Sequence, residues 1–247
     1  MLVADGICKT IGREQLLSDA TLSLASGELV GLIGASGAGK TVFARCMVGL
    51  ETWDSGSLRV DDLLIAEPHA VDDPAWRPVR RLVGLVAQNR ALPPYRTARD
   101  QILEGPRFVG GVASEHAATS AAPWIERLGL KSHLDKYPAE LSGGQVARVC
   151  LARALVMEPR YLICDELTAP LDPAMAAEVA TALLEVVKAG VGVLMISHQL
   201  EFLRRFATRV DYLHAGRIIV SGDAASTLLN PTNDALRQFL SGSELGR

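Results

Sequence analysis

The sequence predicts an α/β fold: a mostly parallel sheet covered by helices on both faces, with a small antiparallel edge and an inserted helical segment. Three observations predict it. A glycine-rich loop at 34–41 joins an apolar run at 29–33 to a helical pattern at 42–48. Two further apolar runs, 161–164 and 191–196, end in polar pairs, Asp165-Glu166 and Ser197-His198. Helical patterns alternate with these runs, as strands and crossover helices do in a parallel sheet.

In chain order, residues 2–26 predict short strands split by turns at Gly6, Gly12 and Gly27. Strand, glycine loop and helix over 29–48 form the opening of a phosphate-binding α/β unit. From 98 to 130 the pattern is helical, with breaks at Gly105, Pro106, Gly110 and Gly111. Further helices are predicted at 144–156 and 174–188. Segments 210–213 and 218–220 flank Ala215-Gly216 as a hairpin.

With 247 residues and 49% hydrophobic composition, the chain can bury a sizeable core. A net charge of -3 with no long basic run argues against a nucleic-acid partner. The local clusters Arg77/Arg80/Arg81 and Arg204/Arg205/Arg209 are expected on solvated faces. The four cysteines, Cys8, Cys46, Cys150 and Cys164, form no CxxC pair and lie in apolar runs, so free thiols in a reducing compartment are expected. No apolar run nears the roughly 20 residues that span a bilayer, and no secretory signal is evident. A soluble chain is predicted; in transport, another chain would supply the pore.

The loop Gly34-Ala35-Ser36-Gly37-Ala38-Gly39-Lys40-Thr41 satisfies the full phosphate-loop pattern. Its glycines let backbone N–H groups turn toward phosphates, and the following helix adds its dipole. Lys40 would reach the β- and γ-phosphates, and the Thr41 hydroxyl would bind Mg²⁺. Asp165 and Glu166 end a buried strand, where open α/β sheets place their ligands. There Asp165 would hold Mg²⁺ and Glu166 would orient or deprotonate the attacking water. Leu141-Ser142-Gly143-Gly144-Gln145 opens a second helix, with Ser142 as cap and exposed N–H groups as a second anion site. One triphosphate does not need two such sites on one chain. Two chains packed head to tail do, each giving the glycine loop to one ATP and this helix start to the other.

These ordered motifs resemble the nucleotide-binding subunits of ATP-binding cassette transporters over nearly the whole length. The resemblance implies a single domain, 1–247, with a RecA-like P-loop NTPase core (1–88 and 159–247) and a helical subdomain (89–158). It further implies that Gln88 links Mg²⁺ to the membrane subunit, Asp172 crosses the dimer interface and His198 contacts the γ-phosphate. Catalysis would rest on Glu166, His198, Lys40 and Gln88, with Thr41, Gln88 and Asp165 around the metal. Implied partners are a second copy, membrane permease subunits and a periplasmic or extracellular solute-binding protein, at the cytoplasmic face of the membrane. Within the family, Arg45-Cys46-Met47, Gly49-Leu50-Glu51, Gly105-Pro106, Asn230-Pro231 and Arg237-Gln238-Phe239-Leu240 resemble the polar amino-acid importers of bacteria.

The chain departs from the family's pattern at several positions. Ile11 replaces the aromatic that stacks on adenine, and Ala87 the aromatic before the glutamine. Pro93-Pro94-Tyr95-Arg96 replaces a more apolar stretch facing the permease. Leu167 follows Glu166 where the family has proline, and Pro170 enters the segment before Asp172. A lipid or export system, or a non-transport cassette of low turnover, remain alternatives.

Overall fold

The computed structural model describes residues 1–89, 92–109, 114–169 and 171–244. Strands β1 (Leu2–Ile11) and β2 (Glu14–Leu24) form a long hairpin, extended by β4 (Ser55–Val60) and β5 (Leu63–Ile65). This antiparallel sheet has the order β2-β1-β4-β5. Between its strands lie β3 (Leu29–Ile33) and α1 (Lys40–Met47), and after them α2 (Trp76–Leu82) and β6 (Val83–Val86). Helices α3 (Ala98–Phe108), α4 (Ser114–Arg127) and α5 (Gly143–Leu155) follow before the chain returns to the sheet at β7 (Tyr161–Asp165). The remainder is α6 (Pro173–Lys188), β8 (Gly192–Ile196), α7 (Leu200–Phe206), β9 (Arg209–His214), β10 (Arg217–Asp223), α8 (Ala224–Leu229) and α9 (Asp234–Glu244). The second sheet has the order β10-β9-β3-β8-β7-β6, parallel except for the β9–β10 hairpin.

The central strands are buried on both faces, and their alternate residues sort into two cores. Leu29, Ile33, Leu162, Cys164, Val193 and Met195 face a core shared with α3, α5 and α6. Val30, Leu32, Tyr161, Ile163, Leu194 and Ile196 face the other, shared with α1 and the antiparallel sheet. The helices between β6 and β7 thus pack in the same core as the parallel strands.

The structure corrects several expectations. Gly6 is not a turn: it lies inside β1 at φ +61°, where the register with β2 shifts between Ala4 and Ile7. A strand with such a bulge bends without ending. Gly105 and Pro106 do not break α3. They occupy its last two turns, and a Cβ on Gly105 would sit 2.9 Å from Met157 Sδ, so close packing accounts for the glycine. The breaks expected at Gly110 and Gly111, and Pro170, lie outside the described residues. Helix α1 begins at Lys40, earlier than the apolar pattern, because the glycine loop itself supplies its cap through Gly39.

Two of the arginines expected on solvated faces are structural. The Arg80 guanidinium donates to the carbonyls of Val48, Gly49 and Val71, tying α2 to the end of α1. Arg209 is half-buried between Glu28 (3.4 Å) and Asp211 (3.5 Å). All four cysteines are free thiols, three of them buried. No helix among the described residues is long and apolar enough to cross a membrane.

Candidate active site

The parallel register sets four chain segments side by side. Val86 pairs with Cys164, Asp165 with Ile196, and Ile196 with Leu32. The residues that leave the carboxyl ends of β6, β7, β8 and β3 therefore emerge together: Gln88, Glu166, His198 and the Gly34 loop. This is the edge at which open α/β sheets bind ligands.

The glycine loop is shaped for close approach. Gly37 and Gly39 adopt φ of +80° and +98°, in the left-handed region open to glycine. A Cβ on Gly39 would lie 2.8 Å from the Leu16 carbonyl, so β2 leaves no room for a side chain there. Lys40 is only 6% exposed, and its ammonium donates to the carbonyls of Gly34 (2.7 Å) and Ala35 (2.9 Å). Burial lowers the Lys40 pKa from its ordinary value, opposed by the nearby charges of Glu166 and Asp165. A cleft of about 300 Å³ opens here, lined by Ser36, Gly37, Lys40, Thr41, Glu166 and His198 among others.

Glu166 sits at φ 50°, a conformation that costs a non-glycine residue about 1–3 kcal/mol. Its N–H donates to Ile196 O (3.0 Å) and its carbonyl accepts from Ala169 N–H (3.2 Å), which hold it there. The carboxylate lies between two side chains. Gln88 Nε2 donates to Oε2 at 3.1 Å, and His198 Nε2 stands 3.2 Å from Oε1.

The residues expected around a metal meet in one place. Thr41, Gln88 and Asp165 line a smaller cavity of about 140 Å³ beside the cleft, with Ala87 and Arg45. Thr41 stands beside Asp165, whose Oδ1 is buried without a partner. Burial holds the Asp165 pKa above the usual carboxylate range, against the pull of the Thr41 hydroxyl and the charges of Arg45 and Lys40. A buried, under-partnered carboxylate beside a hydroxyl is the hard-oxygen chemistry that Mg²⁺ requires. The donor set fits the ion.

The second helix start is built but stands apart. Ser142 accepts from Gln145 N–H (3.3 Å), and Gln145 Oε1 accepts from Ser142 N–H (3.0 Å), a reciprocal cap for α5. Asp172 caps α6 by accepting from Met175 N–H at 2.8 Å. Neither Ser142–Gln145 nor Asp172 is among the residues that line the cleft, and neither is Ile11, which pairs with Glu14 and is 48% exposed. Leu16, one strand over from Ile11, lines the cleft and was not anticipated. Arg45 was also missed, although it follows Thr41 by one helical turn, a spacing that puts both on one face.

A family model described as ABC transporter matches residues 17–169. The chain belongs to the ABC transporter family. It is an ATPase of that family, with the P-loop NTPase fold. Over 237 residues it is 38% identical to the arginine transport ATP-binding protein ArtP of Escherichia coli, covering 96% of this chain and 98% of that one. It is 35% identical to the glutamine transport ATP-binding protein GlnQ of the same species (97% and 98% covered). Against the L-cystine import ATP-binding protein TcyC of Bacillus subtilis the identity is 32%, with 97% of each chain covered. Among solved structures, the dimeric bacterial ABC transporter cassette MJ0796 superposes with a TM-score of 0.78 at 25% identity, covering 91% of this chain and 99% of that one. That cassette has also been solved as a dimer in a post-hydrolysis state with ADP and Pi.

Proposed function

We propose that this chain drives uptake of a polar amino acid through a separate membrane permease, by hydrolysing ATP in sites shared between two copies of itself. The observation that carries the hydrolytic part is the Gln88–Glu166–His198 cluster at the strand ends, of which Glu166 and His198 line the cleft that holds Lys40. The two-copy part is supported by the second helix start at Ser142, which is capped and lies outside the residues lining that cleft, and by the dimeric relative. The amino-acid assignment follows the arginine, glutamine and cystine transport relatives.

In this proposal residues 1–88 and 159–247 form the catalytic core, and 89–158 a helical lobe carrying Ser142. The Gly34–Thr41 N–H groups and Lys40 bind the phosphates, and Ile11 lies against the base. Glu166, held by Gln88 and His198, orients water and accepts its proton. Lys40 and His198 stabilise the charge on the transferring phosphoryl group. Thr41, Asp165 and Gln88 hold Mg²⁺, which supplies further neutralising charge. Ser142, Gly143, Gly144 and Gln145 of one copy, with Asp172, complete the site of the other. The chain works at the cytoplasmic face, and a periplasmic or extracellular binding protein delivers solute to the permease.

The permease contact is assigned to the segment after Gln88. The Gln101 side chain, fully buried, donates to Pro93 O (2.7 Å), and Arg96 pairs with Glu104 (2.6 Å). These bonds pin the segment while Tyr95 stays 75% exposed, in keeping with a docking residue. Replacing Tyr95 and Arg96 together by Ala leaves ATPase of the isolated chain nearly unchanged. It lowers stimulation by the permease and slows uptake in reconstituted vesicles. Unchanged stimulation and uptake in a normally assembled complex would contradict the assignment.

A further inference from the structure

The segment that follows Glu166 touches both halves of the machinery, and one side chain fastens it. Gln199, next to His198, donates from Nε2 to the carbonyl of Thr168 at 3.1 Å. Its own N–H donates to the Ser197 hydroxyl at 3.0 Å, which fixes the chain direction between His198 and α7. Thr168 is fully buried, and its carbonyl also accepts from Leu171 N–H at 3.0 Å. The Gln199 amide therefore grips the chain two residues after Glu166.

Leu171, farther along, rests on α5. A Cβ on Gly143 would lie 2.8 Å from Leu171 Cδ2 and 3.8 Å from Met175 Sδ. Leu171 packs into the space that the missing side chain of Gly143 leaves, so a displacement of Leu171 toward α5 bears on Gly143 and on the Ser142 cap. A continuous path of bonded and packed groups then runs within one chain, from His198 through Gln199, Thr168 and Leu171 to Gly143.

From this we infer that Gln199 is a positioning residue that couples the two half-sites of one chain. Movement of His198 toward a bound γ-phosphate is passed through the Thr168 carbonyl to the Leu171–Asp172 corner, and so to the helix start offered to the partner copy. The inference rests on the shared-site reading above. Gln199 itself is not among the residues that line the cleft.

The test uses Gln199→Glu, which keeps size and shape but presents an oxygen to the Thr168 carbonyl, and Gln199→Met, which keeps length and lacks a donor. Both are made in the full chain and in a Glu166→Gln background. The expected result is nucleotide affinity within about twofold of the parent, with kcat lowered by about five- to tenfold and the Hill coefficient for ATP reduced. Amide exchange at Ala169 and Leu171 speeds up in the nucleotide-free protein. In the Glu166→Gln background, the ATP concentration that drives dimerisation rises. Native kcat, Hill coefficient and exchange in both variants would overturn the inference. If the Glu166→Gln parent itself does not dimerise with Mg-ATP, the shared-site reading falls and this inference with it. If the parent dimerises and the Gln199 variants match it, only the role of Gln199 falls.

Discussion

Gln88 Nε2 donates a 3.1 Å hydrogen bond to Oε2 of Glu166, joining the end of β6 to the end of β7. Together with His198 on the other carboxylate oxygen, it fixes the direction in which Glu166 points. Gln88→Ala removes one of these two anchors. A misplacement of about 1 Å in a reacting group costs on the order of 100-fold in rate, and one remaining anchor limits the loss. The expected outcome is a kcat lowered by about tenfold with little change in the dissociation constant for ATP measured without Mg²⁺. Steady-state kinetics and equilibrium binding check it; an unchanged kcat would show that His198 alone orients the carboxylate.

Lys40 is nearly buried, and burial disfavours its charge. Its two bonds to the Gly34 and Ala35 carbonyls offset part of that cost. Lys40→Ala should leave the thermal midpoint of the nucleotide-free chain equal to the parent's or higher. The same change should abolish turnover and remove the upward shift that Mg-ATP gives the parent. A large fall in the nucleotide-free midpoint would assign Lys40 a structural part instead.

Asp211 is 2% exposed in β9, and burial raises its pKa, with Ser221 and Arg209 pulling the other way and Glu28 adding to the rise. The folded chain holds the proton to higher pH than the unfolded chain, whose carboxyl titrates near about 3.9. The associated stability is present in full below that unfolded value and is lost as pH rises through the raised folded value. Above that folded value the charge is carried at a cost. Asp211→Asn should therefore raise stability at pH 7 relative to the parent, with the gain shrinking toward zero as pH falls below the ordinary carboxylate range. Urea unfolding at a series of pH values checks the sign; a constant or growing difference on acidification contradicts it.

The parallel sheet was legible because its strands are short apolar runs ended by charged or polar residues. The runs at 29–33, 161–164 and 191–196 became β3, β7 and β8 to within a residue. The same punctuation marks Asp165 and Glu166 as candidates, whereas the phosphate loop rests on its own motif and the role of His198 on the family resemblance. The segment between Ser55 and Val86 was not read as structure. Strands β4 and β5 are half-exposed, and β6 is only four residues long, with Gly84 at its second position. Such elements carry little periodicity and are fixed by their neighbours: β4 by β1, and β6 by β7. The Gln199 bond to Thr168 was invisible for a different reason. A side-chain amide reaching a backbone carbonyl 31 residues earlier leaves no pattern in either segment.

Glu166→Gln tests most directly whether each site is completed by a second copy. The amide keeps the shape and can still meet His198 and Gln88, but it cannot accept a proton from water. Hydrolysis stops, and nucleotide stays in the closed assembly. On a sizing column with light-scattering detection, the variant is predicted to run as a monomer without nucleotide and as a dimer with Mg-ATP. Mg-ADP should leave it monomeric. A chain that binds Mg-ATP tightly and still runs as a monomer at high protein concentration would contradict the shared site.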